Sequence, residues 1–116
     1  MDELKIQKKL RKFAKDRNWE QFHSLKNLAI SINLESSELL EIFQWENEKS
    51  NFWSKKEIKK MLKDELADIM LYLLRFSDLA NINLEEACLE KIKKNNEKYP
   101  INLSKGKSTK YNKLQK

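Results

Sequence analysis

A chain of 116 residues with one Gly, one Pro and one Cys has room for one domain and little turn chemistry, which argues for helices over strands. The lone Cys88 excludes an intrachain disulfide, and no run approaches the ~20 apolar residues of a membrane span. The net charge of +6 invites a nucleic-acid reading, yet Lys105, Lys107, Lys110, Lys113 and Lys116 supply most of it, and without them 19 basic residues meet 18 acidic ones.

The elements follow in chain order. Asp2 can cap a first helix to about Arg17, with Leu4, Leu10, Phe13 and Ala14 as its apolar positions. RNWEQFHS has no clean period and reads as an aromatic connector. Ser24 can cap a second helix to about Trp45, and ENEKSNF reads as a polar loop. Ser54, with Glu57 three residues on, forms the pattern of a capping box for a third helix to about Ala80. Asn83 can cap a fourth, which must stop near Tyr99 because Pro100 cannot continue it. The expected fold is all-α, a four-helix bundle over residues 1–100 followed by a basic tail, 101–116. With 40% hydrophobic and 36% charged residues the core is modest, so completion by homo-oligomerisation is expected. The charged N-terminal stretch has no apolar leader run, and a cytoplasmic location is expected.

Two helices carry acids where a packing helix would not put them. Stepping about 100° per residue from Leu28, the residues Leu28, Ile32, Leu39, Ile42 and Phe43 form one stripe. Glu35 falls about 20° from its centre and Glu38 about 80°, on its edge, while Glu41 faces away. Stepping from Ile58, the stripe is Leu62, Ile69, Tyr72, Leu73 and Phe76. Glu65 and Asp68 fall at the same two angles, and Asp64 faces away. An E-x-x-E on one helix thus answers an E-x-x-D on the next. A single such pair is usually a solvated face. Two pairs in the same phase bring four carboxylates together if the helices pack. Burying them unneutralised costs several kcal/mol each, so protons or a cation are required. An all-oxygen set suits Mg²⁺, with Mn²⁺ as the second choice. Zinc and a ferritin-like di-iron site are not expected, since His23 is the only histidine.

Further positions could serve a ligand of that ion. Lys91, Asn95 and Lys98 share one face of the fourth helix, with Lys94 nearby, and could hold phosphate oxygens; favourable charge at a helix C-terminus explains the same lysines. No Gly-rich phosphate loop is present. Trp19, Phe22, His23, Trp45, Trp53 and Tyr72 offer ring faces for a nucleobase or, equally, anchors for a core. The competing class is a non-enzymatic helical module that binds nucleic acid through the basic tail.

NWEQFH, ESSELLEIFQW, DELADIMLYL and KIKKNNEKYP together resemble the MazG-like all-α nucleoside triphosphate pyrophosphohydrolases, most of all the dCTP pyrophosphatase branch. The resemblance runs from about Arg11 to Tyr111. It implies hydrolysis of a (deoxy)nucleoside triphosphate, dCTP or a modified dCTP, to monophosphate and pyrophosphate. It implies Glu35, Glu38, Glu65 and Asp68 as Mg²⁺ ligands and catalytic acids, and Lys91, Asn95 and Tyr99 as phosphate or sugar contacts. Trp19, His23, Asn27, Trp45, Trp53 and Tyr72 would surround the base. Lys110, in S-T-K-Y, would close over phosphates. It also implies a dimer or tetramer; the composition argues against a membrane partner, and nucleic acid is the less favoured partner. The family often has Gly on either side of the first glutamate; Leu34 and Ser37 stand there instead.

Overall fold

The computed structural model describes residues 1–47 and 49–113. Glu48, in the expected polar loop, and residues 114–116 of the expected tail lie outside the described residues, as does the side chain of Tyr111. Among the described residues the regular structure is entirely helical. The chain falls into two compact units, Met1–Asn81 and Ile82–Lys116.

The first unit holds α1 (Glu3–Asp16), α2 (Leu25–Phe43) and α3 (Lys56–Leu79). Short 3₁₀ turns at Glu20–Phe22 and Phe52–Ser54 lie in the two connections. The second unit holds α4 (Leu84–Lys98), a one-turn α5 (Ile101–Ser104) and a 3₁₀ turn, Tyr111–Lys113. Five α-helices therefore stand among the described residues where four were expected. The fifth exists because Pro100, which cannot extend α4, is pre-set to start a new turn.

Local chemistry explains most of the ends. Asp2, Ser24 and Asn83 each accept a hydrogen bond from a backbone N–H three residues on. α1 ends in a Schellman motif: Asn18 takes φ 55°, and the Trp19 N–H reaches the Ala14 carbonyl at 2.8 Å. This motif aims the connector and seats Trp19 edge-on to Phe13, with ring centroids 5.6 Å apart.

The expected capping box of α3 does not form. The Ser54 hydroxyl donates backwards to the Asn51 carbonyl at 2.6 Å, within the 3₁₀ turn. Lys55 becomes the N-cap, with no side-chain hydrogen bond. Ser54 was already committed to the preceding turn, and a hydroxyl so engaged is drawn away from the helix end. α2 also stops at Phe43, two residues before Trp45.

α3 is the spine of the first unit. α2 and α1 both pack along it, and the Phe52–Ser54 turn adds to the same helix. Ala14, Leu28 and Leu74 are the hydrophobic residues fully buried here. The seam between α1 and α3 is partly polar. Buried Gln7 donates to the Leu74 carbonyl (3.1 Å) and to Ser77 Oγ (3.3 Å). Both bonds are made inside, so the amide does not carry an unmet desolvation cost.

Candidate active site

α2 and α3 bring their acids together because each presents its stripe to the other. Glu35, Glu38 and Glu65 each place a carboxylate oxygen within 4.8 Å of the other two. Glu35 and Glu65 are half-buried, while Glu38 is exposed at the rim. Glu35 Oε2 and Glu65 Oε2 are buried without a hydrogen-bond partner. The intervening serines do not supply one. Ser36 and Ser37 donate back to the Ile32 and Asn33 carbonyls of their own helix.

Glu35 and Glu65 hold protons unusually well. Burial pushes Glu35 up to about 7, reinforced by a hydrogen bond with Glu38 and by the charges of Glu38, Asp68 and Glu65. Glu65 is raised too, by burial first, then by Glu38 and the charge of Asp68, while a hydrogen bond with Glu35 opposes the shift. Asp68 acts on both through its charge but stands beside the trio rather than within it.

Asp68 also borders a cleft of about 460 Å³ between α1, the connector and α3. Its walls are mostly apolar, from Leu10, Phe13, Trp19, Leu71 and Tyr72, with Lys9, His23, Asp68 and Arg75 as polar members. Three of the six residues expected around a base, Trp19, His23 and Tyr72, thus share one cleft. The other three do not line it. Asn27 donates its side-chain amide to the Phe22 carbonyl at 3.0 Å and braces the connector. Trp53 lies in the 3₁₀ turn before α3, and Trp45 is 88% exposed.

Behind the cleft runs a charged network that the sequence reading did not identify. Arg11 forks onto Asp78, with Nε to Oδ2 at 2.7 Å and Nη2 to Oδ1 at 2.5 Å. Arg75 Nη1 lies 3.7 Å from Asp78 Oδ2. Arg75 Nε donates to His23 Nδ1 at 3.2 Å. The Arg11 guanidinium holds the Asp78 carboxyl below its usual range. Burial, then the Arg75 charge, lowers His23, and Glu20 opposes this. One signal was present in the sequence: Arg75 follows Asp68 by seven residues, two turns along the same rim of α3.

The expected phosphate contacts belong to the second unit. Lys91, Lys94 and Asn95 are exposed on α4, Lys98 is half-buried at its end, and Tyr99 is its C-cap. Lys110 is exposed between α5 and the last 3₁₀ turn.

Comparison with known proteins gives this arrangement a family. The family model described as MazG-like matches residues 30–114, which include all four acids. The chain belongs to the MazG-like family. This MazG-like chain is 36% identical over 105 residues to mouse dCTP pyrophosphatase 1, a match covering 88% of the chain and 61% of that protein. It is 38% identical to the bovine dCTP pyrophosphatase 1, covering 88% and 62%. It therefore spans about three fifths of the length of the curated relatives it matches. A pyrophosphatase crystal structure from Archaeoglobus fulgidus superposes with a TM-score of 0.73 at 44% identity, covering 78% of this chain and 85% of that one. The expected all-α, MazG-like fold is thereby confirmed. Among the described residues, no helix is long and apolar enough to cross a membrane.

Proposed function

We propose that this MazG-like chain hydrolyses a (deoxy)nucleoside triphosphate to the monophosphate and pyrophosphate, with dCTP or a modified dCTP as the preferred substrate. The observation that carries the reading is the trio of carboxylates within 4.8 Å, two of its buried oxygens lacking any partner. A packed helix pair gains nothing from such oxygens unless protons or a cation satisfy them. The names of the relatives, dCTP pyrophosphatase and pyrophosphatase, supply the substrate class.

An all-oxygen donor set of this kind fits Mg²⁺, with Mn²⁺ as an alternative. Glu35, Glu38 and Glu65 would hold it, joined by Asp68. When bound, the ion supplies positive charge against the triphosphate oxygens and activation of water. The chain's own residues do the rest. Glu35 gives up the proton that burial and its neighbours let it keep near neutral pH. Glu35 and Glu38, one turn apart, are the carboxylates available to orient the attacking water. Trp19 and Tyr72 offer ring faces in the cleft beside Asp68 on which a base can stack. On the second unit, Lys91, Lys94, Asn95, Lys98, Tyr99 and Lys110 are the residues that helix-face spacing and the family resemblance propose as phosphate and sugar contacts.

The working form is a homo-oligomer, a dimer or tetramer. Ile30, Leu34, Leu40 and Leu66 are exposed on α2 and α3, and so is Trp45. Apolar exposure on this scale in a helical unit with a small core is what a second copy would cover.

The test is a panel of dNTPs and NTPs incubated with and without Mg²⁺, with pyrophosphate and orthophosphate measured separately. Pyrophosphate release that needs the ion and favours cytosine nucleotides supports the reading. Release of orthophosphate alone, or no turnover of any nucleotide, sinks it.

A further inference from the structure

The network behind the cleft has a consequence for what the cleft can recognise. A guanidinium is a donor only, at every nitrogen. Arg75 Nε lies 3.2 Å from His23 Nδ1 and donates to it, so Nδ1 must be bare. In the neutral ring the proton then sits on Nε2. Arg75 is itself immobilised. It is 6% exposed, and Asp78 holds its far end while being clamped by the two bonds from Arg11. Three helix positions on two helices thus fix one imidazole in the connector.

We infer that Arg75 is a positioning residue, which locks His23 as the neutral Nε2–H tautomer so that the cleft offers its ligand a hydrogen-bond donor. Resting on the nucleotide reading above, this places a ring nitrogen or carbonyl acceptor of the base at His23. An N–H edge would find no acceptor on that ring. Asp68 and Glu20 are the acidic groups near the imidazole, at the cleft wall and in the connector respectively, and neither replaces Arg75 at Nδ1.

The chain has a single histidine, so nitrogen NMR of the full-length protein reads this ring without ambiguity. The expected wild-type spectrum at neutral pH is that of a neutral imidazole protonated at Nε2. A ring protonated at Nδ1, or a cationic one, overturns the inference without any variant being made. Two substitutions then separate positioning from packing. Lysine, like arginine, carries donors and no acceptor. Arg75→Lys should therefore keep the tautomer and leave KM for the preferred nucleotide within about twofold of wild type. Arg75→Met removes the donor. It should mix the tautomers and raise KM about three- to tenfold, the worth of one neutral hydrogen bond, with a smaller change in kcat. Equal KM values and spectra for the two variants would also overturn the inference. The spectra judge the tautomer whether or not nucleotides turn over. Absence of turnover by the wild type counts against the proposed activity alone.

Discussion

α3 carries two groups of charged side chains and treats them in opposite ways. Towards its middle, Glu65 meets Glu35 and Glu38 of α2, with Asp68 beside them, all of one sign, with two buried oxygens unpartnered. Towards its end, Arg75 and Asp78 meet Arg11 and His23, with each charge answered. The second arrangement is complete in the protein as it stands. The first is complete only with something added. A polar cluster that satisfies itself shapes a site, whereas one that cannot is prepared to take a ligand.

The largest effect that tests the contrast is catalytic. Glu38→Gln keeps the shape of the side chain and removes its charge. Turnover at saturating Mg²⁺ should fall by about 10²–10⁴-fold while far-ultraviolet circular dichroism is unchanged. Near-wild-type turnover would refute the assignment of the acid trio.

The next effect is on stability and should appear at the other end of α3. Asp78→Ala leaves Arg75 buried without its carboxylate, which should cost roughly 3–5 kcal/mol in urea unfolding. Glu35→Gln should do the reverse in metal-free protein and raise Tm by roughly 1–4 °C, because it relieves like-charge crowding. If both substitutions destabilised equally, the contrast would be lost.

Mg²⁺ sharpens it further. A ligand that binds only the folded state adds about 2.7 kcal/mol at a hundred times its Kd. Thermal melts of the wild type should shift upwards with Mg²⁺, and those of Glu38→Gln should barely move.

The smallest effect is the pH dependence in EDTA, where the two groups have opposite signs. Glu35 binds its proton more tightly folded than unfolded. Its contribution to stability is present at low pH and is lost as pH rises from 4.5 to about 7. Asp78 is depressed in the fold. Its contribution is present above its ordinary value of 3.8 and is lost as pH falls through the lower, folded value. Melts across these two windows should slope in opposite directions, and Mg²⁺ should flatten only the upper one.

What could be read along the chain was what depends on neighbours in sequence. Asp2, Ser24 and Asn83 cap their helices because the partner N–H is three residues away. Glu35 and Glu65 sit in their stripes because helical period is a local property. Even so, a local rule failed at Ser54, where a competing turn took the hydroxyl. The aromatic set shows where reading stops. Trp19, His23 and Tyr72 share a cleft, while Asn27 turns to the Phe22 carbonyl and Trp45 stays in solvent.

The sequence by itself determined an all-α protein, its main helix starts and the inward phase of its acids, since all of these follow from spacing within one helix. Only the tertiary structure decided that Gln7 would bond across to α3 and that Arg11, Asp78, Arg75 and His23 would join. Apart from Arg75 and Asp78, three residues apart on α3, those pairs lie 52 to 70 residues apart in the chain, and no periodicity reaches that far. Their partners are chosen by which helix faces come together, and that is a property of packing.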